Sequence, residues 1–354
     1  MQGKTRNIGG SAALVGLLLL ALVRGSLVHS DDLAGTGNTA VGNLLYAPFA
    51  TANLNPFVHV YNPLRAHSAK LPSKGMWQAR LHGEVASHFT ERTVSGPDQP
   101  ESIFIDGESH RLNLEFNYAF SDVMTWSFSL PYISHERGGL DNSIDSWHQF
   151  WGLPDGGRPQ FPEDQLRFNH QSGSVNPTEL NDSVDGLGDL RLTMAYQIAR
   201  QHSRYWSLRA SLKLPTGDSD KFTGSGSRDL TLALAFSEYN LLASGRWQLH
   251  ASAGLTRLGN SNLLNTQRRD WVGFASSTVS WRLRPNVVLK LQIDAHSAYY
   301  RSKLKELGEP SAQLVVGATI ALADNWSVDV ALSEDIIVDT APDAVFIVGL
   351  NRQF

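Results

Sequence analysis

Three aspartates, Asp182, Asp185 and Asp189, lie close together in the chain and offer the hard oxygen ligands that Ca²⁺ prefers, at a spacing that matches no calcium loop. His148, His170 and Ser174 supply the imidazole and hydroxyl groups that a hydrolase would pair as base and nucleophile, yet nothing in their spacing brings them together. The chain has no G-x-S-x-G, H-E-x-x-H, Walker loop or G-x-G-x-x-G, and with no cysteine it has no thiolate chemistry and no disulfide. No catalytic residue, metal or cofactor is therefore assigned, and an enzyme is not expected. Acids and bases are interspersed at a net charge of −4, so no nucleic-acid partner is expected either.

The charged residues that do fall in a pattern are Arg80, Glu84, Arg111, Glu115, Arg191, Arg209, Lys213, Asp229, Lys290, Asp294 and His296. Each alternates with apolar neighbours, as the polar face of a strand does. The alternating segments run from Trp77 to Phe89, Leu112 to Phe120, Met124 to Tyr132, Leu190 to Ile198, Trp206 to Leu214 and Leu230 to Phe236. Others follow from Trp247 to Leu255, Trp271 to Leu283, Val287 to Tyr299, Leu314 to Leu322 and Trp326 to Leu332, with a last strand that ends at Phe354. These are about twelve strands, mostly near the 9–11 residues that a tilted transmembrane strand requires.

The connections alternate in length. Short links at Ser121-Asp122, Arg200 to Arg204, Glu238 to Gly245, Arg284-Pro285 and Ala323 to Asn325 are separated by longer ones at Glu91 to Gly107, Glu136 to Gly186, Thr216 to Ser227, Arg257 to Arg269 and Arg301 to Pro310. Trp77, Trp206, Trp247, Trp281, Trp326 and Phe354 all stand on the apolar face at the short-turn ends, which describes an aromatic girdle at a membrane interface. Phe89, Trp271 and Tyr299 form a sparser set at the other rim. The sequence thus predicts an all-β transmembrane antiparallel up-and-down barrel over residues 75–354, with 136–186 as a long extracellular loop.

Ahead of the barrel, Lys4 and Arg6 precede an apolar run from Ala12 to Val23, and small residues near Ser30 suit cleavage; residues 1–30 read as a signal peptide. Residues 31–74 carry Pro48, Pro56, Pro63 and Pro72 without periodicity and read as irregular. Their apolar residues, among them Tyr46, Phe49, Phe57 and Tyr61, need somewhere to pack. The segment either plugs the lumen or lies in the periplasm.

The Asn-Pro segment, Gly186-Leu187-Gly188-Asp189-Leu190, Leu214-Pro215-Thr216-Gly217-Asp218 and Gly224-Ser225-Gly226-Ser227 resemble a bacterial outer-membrane barrel family that carries only a domain-of-unknown-function label. The turn motifs are also similar to those of barrels associated with aromatic-compound degradation pathways. A terminal Phe354 resembles the last residue of outer-membrane barrels, although Arg352 stands where that signature prefers an apolar side chain. The resemblance implies an outer-membrane location, contact with membrane lipid and recognition of the C-terminal strand by the barrel-assembly machinery. It implies no catalytic residue.

The expected function is a narrow channel or transporter for a small solute through a mixed-charge lumen, with the 136–186 loop as gate and Trp147 and Trp151 at the opening. A membrane-embedded lipid-modifying enzyme and a closed structural or surface-interaction barrel are the alternatives. A Ser–His pair on the outer wall would favour the enzyme.

Overall fold

The computed structural model describes residues 44–95, 100–139, 162, 164–173, 177–322, 325–337, 339–342 and 344–354. The signal-peptide reading, the first part of the irregular segment, and Trp147, His148, Trp151 and Ser174 lie outside the described residues.

Fifteen strands form one antiparallel sheet: β1 Trp77–Val94, β2 Glu101–Ser121, β3 Met124–Glu136, β4 Arg167–Ser172, β5 Thr178–Leu180, β6 Val184–Leu187, β7 Leu190–Gln201 and β8 Arg204–Leu214, then β9 Asp229–Leu241, β10 Trp247–Arg257, β11 Trp271–Arg284, β12 Val287–His296, β13 Ser311–Ala321, β14 Trp326–Asp335 and β15 Ala344–Gln353. Twelve of them make the ring, in which each strand from β7 to β15 pairs with the next and β3 pairs with both β2 and β7. Closure comes from β1 and β15, which run in register from Gln78↔Gln353 to Ser87↔Ala344. Trp77 and Phe354 complete it by exchanging backbone bonds, Trp77 N to Phe354 O at 2.7 Å and Phe354 N to Trp77 O at 3.0 Å. No edge is left between the first and last strands, as lipid requires, because an unpaired backbone group there has no water to bond.

The burial pattern is inverted relative to a water-soluble sheet. On β15, Phe346 is 50 % exposed while Asn351 and Gln353 are 3 % and 1 % exposed. The same holds around the ring, where Leu112, Leu192, Leu208 and Leu232 face outward and Asn113, Thr193, Arg209 and Thr231 face inward. Alternation along each strand thus puts an apolar band toward lipid and a polar face toward the lumen.

Aromatic side chains gather at the short-turn rim. Trp77 stacks on Tyr118 at 4.4 Å, Trp247 on Trp281 at 5.7 Å, and Trp206 tilts against Phe236 at 4.7 Å between ring centroids. Arg352 lays its guanidinium 4.9 Å over Trp326 and 5.3 Å over Phe354, so the residue that departs from the C-terminal signature becomes part of the girdle through cation–π contact.

Two expectations are corrected. Residues 91–107 are not simply a loop, because β1 and β2 continue beyond the apolar band as strands of 18 and 21 residues, paired up to Val94↔Glu101. Both faces of this extension carry polar groups, so its period is invisible in hydrophobicity. Gly107, at φ +131°, lets β2 change partner from β3 (Glu108↔Glu136) to β4 (Asp106↔Arg167); a Cβ there would meet Leu166 Cδ1 at 2.9 Å. The second correction is Tyr299, which is buried against Tyr61 at 5.0 Å rather than standing on the outer rim, because β12 ends at His296 and the chain turns inward.

Candidate functional site

The interior of the ring is occupied by residues 44–71, nearly all of them buried. This stretch has little regular structure beyond a helical turn at Leu44–Tyr46 and α1, Pro56–His59, and a backbone without partners of its own cannot be buried at acceptable cost. Inward-facing side chains of the wall supply those partners. Lys290 Nζ donates to Ala47 O at 2.5 Å, Ser280 Oγ to Tyr46 O at 3.1 Å, Arg209 Nη2 to Ser68 O at 2.7 Å and Arg191 Nε to Asn62 O at 2.8 Å. Gln292 both accepts from Phe49 N at 2.9 Å and donates to Phe49 O at 3.1 Å, as a neighbouring strand would. Side chains of the segment answer in kind. Thr51 Oγ1 donates to Glu84 Oε1 at 2.7 Å, Arg65 Nη2 to Glu84 Oε2 at 3.0 Å, and Asn53 Nδ2 to Ser311 Oγ at 3.2 Å and Thr340 O at 2.9 Å.

The apolar residues of the segment pack in separate places along the lumen. Phe57, Val58 and Tyr61 join Phe168, Phe222 and Tyr300 in the largest cluster, at the loop end, where Tyr300 Oη donates to Phe57 O at 2.7 Å. Phe49 and Leu54 meet Val315 and Val345 lower down. Leu45 and Tyr46 meet Val288 and Ala321 nearer the turns.

Each residue singled out from the sequence can now be placed. Glu84 is shared by Thr51 and Arg65, and Arg111 lies 4.0 Å from it and also bonds Asn62. Arg80 donates to Asn351 Oδ1 at 3.2 Å and Pro48 O at 3.4 Å. Glu115 accepts from Asn117 at 2.9 Å and lies 3.5 Å from His67 Nε2. His296 Nε2 meets Asn53 Nδ2 at 3.0 Å, and Asp294 accepts from Gln292 at 2.7 Å. Lys290 lies 3.7 Å from Asp329.

Lys213 and Asp229 belong to a different construction at the loop end. Lys213 Nζ is 2.5 Å from Asp189 Oδ2 and 3.0 Å from Asp229 Oδ2, with all three side chains fully buried. Asp189 also accepts from Gly217 N at 3.0 Å and Ser225 N at 3.1 Å, and Asp229 accepts from Gly259 N at 2.9 Å. The Gly-Leu-Gly-Asp, Pro-Thr-Gly-Asp and Gly-Ser-Gly-Ser motifs therefore meet around one carboxylate, and a Cβ on Gly224 would strike Asp189 Oδ1. The three aspartates do not converge on a metal: Asp189 is spent on Lys213, while Asp185 accepts from Tyr132 on the exposed side. Among the described residues no group of three acidic or imidazole side chains forms a metal site.

A hydroxyl–imidazole pair does exist, at a place the sequence did not suggest. Ser109 Oγ lies 2.9 Å from His135 Nδ1 and 2.8 Å from His88 Nε2, but all three are buried on the inner face, not on the outer wall. His135 Nε2 meets Phe222 O at 3.2 Å, which orients the chain of bonds through the barrel interior. His170 is held 3.0 Å from Glu101 Oε1.

A model described as "Protein of unknown function (DUF3187)" matches residues 35–354 of the chain. A search of curated proteins finds no match. Among solved structures the chain is similar to the COG4313 outer membrane channel from Pseudomonas putida F1, with 12 % identity, a TM-score of 0.56, and 82 % of this chain and 100 % of that one covered. At lower TM-scores it is similar to the KdgM porin, with 7 % identity, a TM-score of 0.41 and 78 % and 99 % coverage. It is also similar to the Pseudomonas putida toluene transporter TodX, with 11 % identity, a TM-score of 0.34 and 87 % and 94 % coverage. The fold is that of a bacterial outer-membrane barrel.

Proposed function

The chain belongs to the DUF3187 family of proteins of unknown function, and we propose that it is an outer-membrane channel for a small solute, plugged in its resting state by residues 44–71. The observation that carries this reading is the chemistry of the lumen contacts. An eight-stranded barrel can fill its interior with side chains alone, whereas this ring of twelve is wider, and a length of main chain occupies it, held by many separate hydrogen bonds to the wall. Each such bond is worth only about 0.5–1.5 kcal/mol net between neutral groups and about 1.5–3 kcal/mol to a charged one, because water replaces it when the segment leaves. Such contacts break one group at a time, which suits a stopper that moves.

The lining that a solute meets once the segment shifts is Arg80, Glu84, Arg111, Glu115, Arg191, Arg209, Lys290, Asp294 and His296, a polar wall of both signs. The 136–186 loop acts as an outer cap in this reading. What supports it is that β4 pairs onto the β2 extension and β5 onto β4, and that Gly139 N donates to Glu108 Oε1 at 2.6 Å, so the described ends of the loop are tied to the barrel wall.

The test exploits the absence of native cysteine. Asn53→Cys with Ser311→Cys replaces a direct hydrogen bond by a reducible bridge between segment and wall. In planar bilayers the oxidised protein should stay closed, and the reduced protein should recover the current of the parent chain. Equal current in both states would show that ions do not need the segment to move.

A further inference from the structure

Two cavities run along the inner wall formed by β1, β2, β3, β7 and β8. One, of about 50 Å³, lies toward the short turns between Arg80, Arg209, Lys70 and Tyr239. The other, of about 20 Å³, lies deeper, beside Arg65, Arg191 and Thr193. His67 and Glu115 line both, so this pair stands where one chamber passes into the next. Glu115 is the only carboxylate among the residues lining either cavity.

Neither arginine of the larger chamber forms an ion pair with that carboxylate among the described residues, although its charge reaches both. Arg80 is held by an amide oxygen and a main-chain carbonyl, and Arg209 by the carbonyl of Ser68, which are all uncharged acceptors. Glu115 itself is engaged by Asn117 and His67. Arg209 Nε and, in the deeper chamber, Arg65 Nε are buried without a hydrogen-bond partner among the described residues. A buried donor with no acceptor costs about 1–3 kcal/mol, more when charged, so a guanidinium left in this condition favours an acceptor that can enter. The Lys70 ammonium lies 5.0 Å over the Tyr239 ring and adds positive charge at the turn end of the chamber. A cavity of this size exceeds what one water occupies and matches a small ion with part of its hydration.

We infer that the chamber between Arg80 and Arg209 is a binding site for a small monovalent anion, with a short-chain carboxylate the best fit to two guanidinium planes. The inference rests on the channel reading in making this chamber the last station on the turn side of the lumen, with the His67–Glu115 pair as the constriction before it. A cation entering the same chamber meets Arg80, Arg209 and Lys70, with Glu115 the one carboxylate among the described lining residues. An anion meets that carboxylate already engaged by Asn117.

Two measurements on the full-length folded barrel separate the site from the channel. In the first, equilibrium binding of labelled acetate to detergent-solubilised protein should saturate, be displaced by chloride, and be lost in Arg80→Gln/Arg209→Gln. Arg209→Lys, which keeps the charge, should retain it. In the second, the reversal potential in a potassium chloride gradient should show chloride more permeant than potassium, with the preference lost in the same double variant. Saturable acetate binding without conductance would uphold the anion site and remove the channel reading. Conductance that is cation-selective or unselective, with no saturable binding, would overturn the anion site and leave the channel reading standing. Absence of both in protein whose gel migration shows an intact barrel would overturn both.

Discussion

Lys213 Nζ lies 2.5 Å from Asp189 Oδ2 and 3.0 Å from Asp229 Oδ2, and the lysine and both aspartates are fully buried. One ammonium thus holds the first residues of two strands, β9 and the lead-in to β7, beneath the loops of the outer mouth. Replacing it leaves two buried carboxylates without their shared ammonium, held by main-chain amides and the Ser225 and Ser227 hydroxyls. Breaking a buried pair by removing one partner costs about 3–5 kcal/mol. Lys213→Met should therefore lower the unfolding free energy in micelles by that order, read from urea titration. Lys213→Met combined with Asp189→Asn and Asp229→Asn should recover much of the loss.

The outward apolar face gives a second expectation. Leu114 and Leu192 both face lipid well away from the short-turn ends of β2 and β7 at Ser121 and Gln201, so Leu114→Arg or Leu192→Arg should cost about 2–4 kcal/mol. Val123, exposed in the turn between β2 and β3, lies at the interface, where the same change to Arg should cost about 0–1 kcal/mol. Equal losses at depth and at the turn, in the same titration, would mean that the apolar band does not face lipid. Asn113 is a poor inward control, because it is completely buried and accepts from Ser129 at 2.8 Å, leaving no room for an arginine.

These two cases mark how far the sequence could be read. Strand positions such as Leu114 and Leu192 announce themselves because an apolar face repeating every second residue has few structural explanations, and Trp247 and Trp281 mark the rim because indole favours an interface. The partners of Lys213 do not, since alternation says which face a side chain occupies but not which strand lies opposite. The lumen segment was harder still. Ala47, Phe49, Asn62 and Ser68 are held through their carbonyls, and a carbonyl is common to every residue, so nothing in residues 44–71 signalled that Lys290, Gln292, Arg191 and Arg209 would bond them. The strand extensions beyond Phe89 on β1 and before Leu112 on β2 escape the sequence for the related reason that an element polar on both faces has no hydrophobic period.

Arg352 offers a third expectation. Its guanidinium spans the rings of Trp326 and Phe354 on the outer rim, a contact worth about 0.5–1 kcal/mol at an exposed site. Arg352→Glu should remove that attraction and place an anion among aromatic faces. The expected result is a loss of stability of about that size, while Arg352→Lys retains most of it. Identical midpoints for the Glu and Lys variants would mean that the ring contacts contribute nothing measurable.

The last expectation concerns pH and the lumen segment. His59, in α1, is buried with neither ring nitrogen bonded among the described residues, and its ring stands edge-on to His135 at 5.2 Å. Burial first, and then His135, Arg111 and His88, hold its pKa well below the ordinary 6.5. His67 is lowered too, by burial and by Arg209, against the opposing pull of Glu115. In the seated segment both imidazoles therefore stay neutral below the pH at which they would protonate in a released one. Above about 6.5 the two states bind the same number of protons and pH has no leverage. As pH falls through 6.5, the released segment takes up protons that the seated one refuses, so acidification favours release. Under the channel reading, current in planar bilayers should rise between pH 7.5 and 5, and His59→Phe should reduce the step. The Asn53→Cys/Ser311→Cys bridge, when oxidised, should abolish it, because a tethered segment cannot use the protonation energy to leave. A step of unchanged size in the bridged protein would place the pH response in the wall of the barrel instead of the segment inside it.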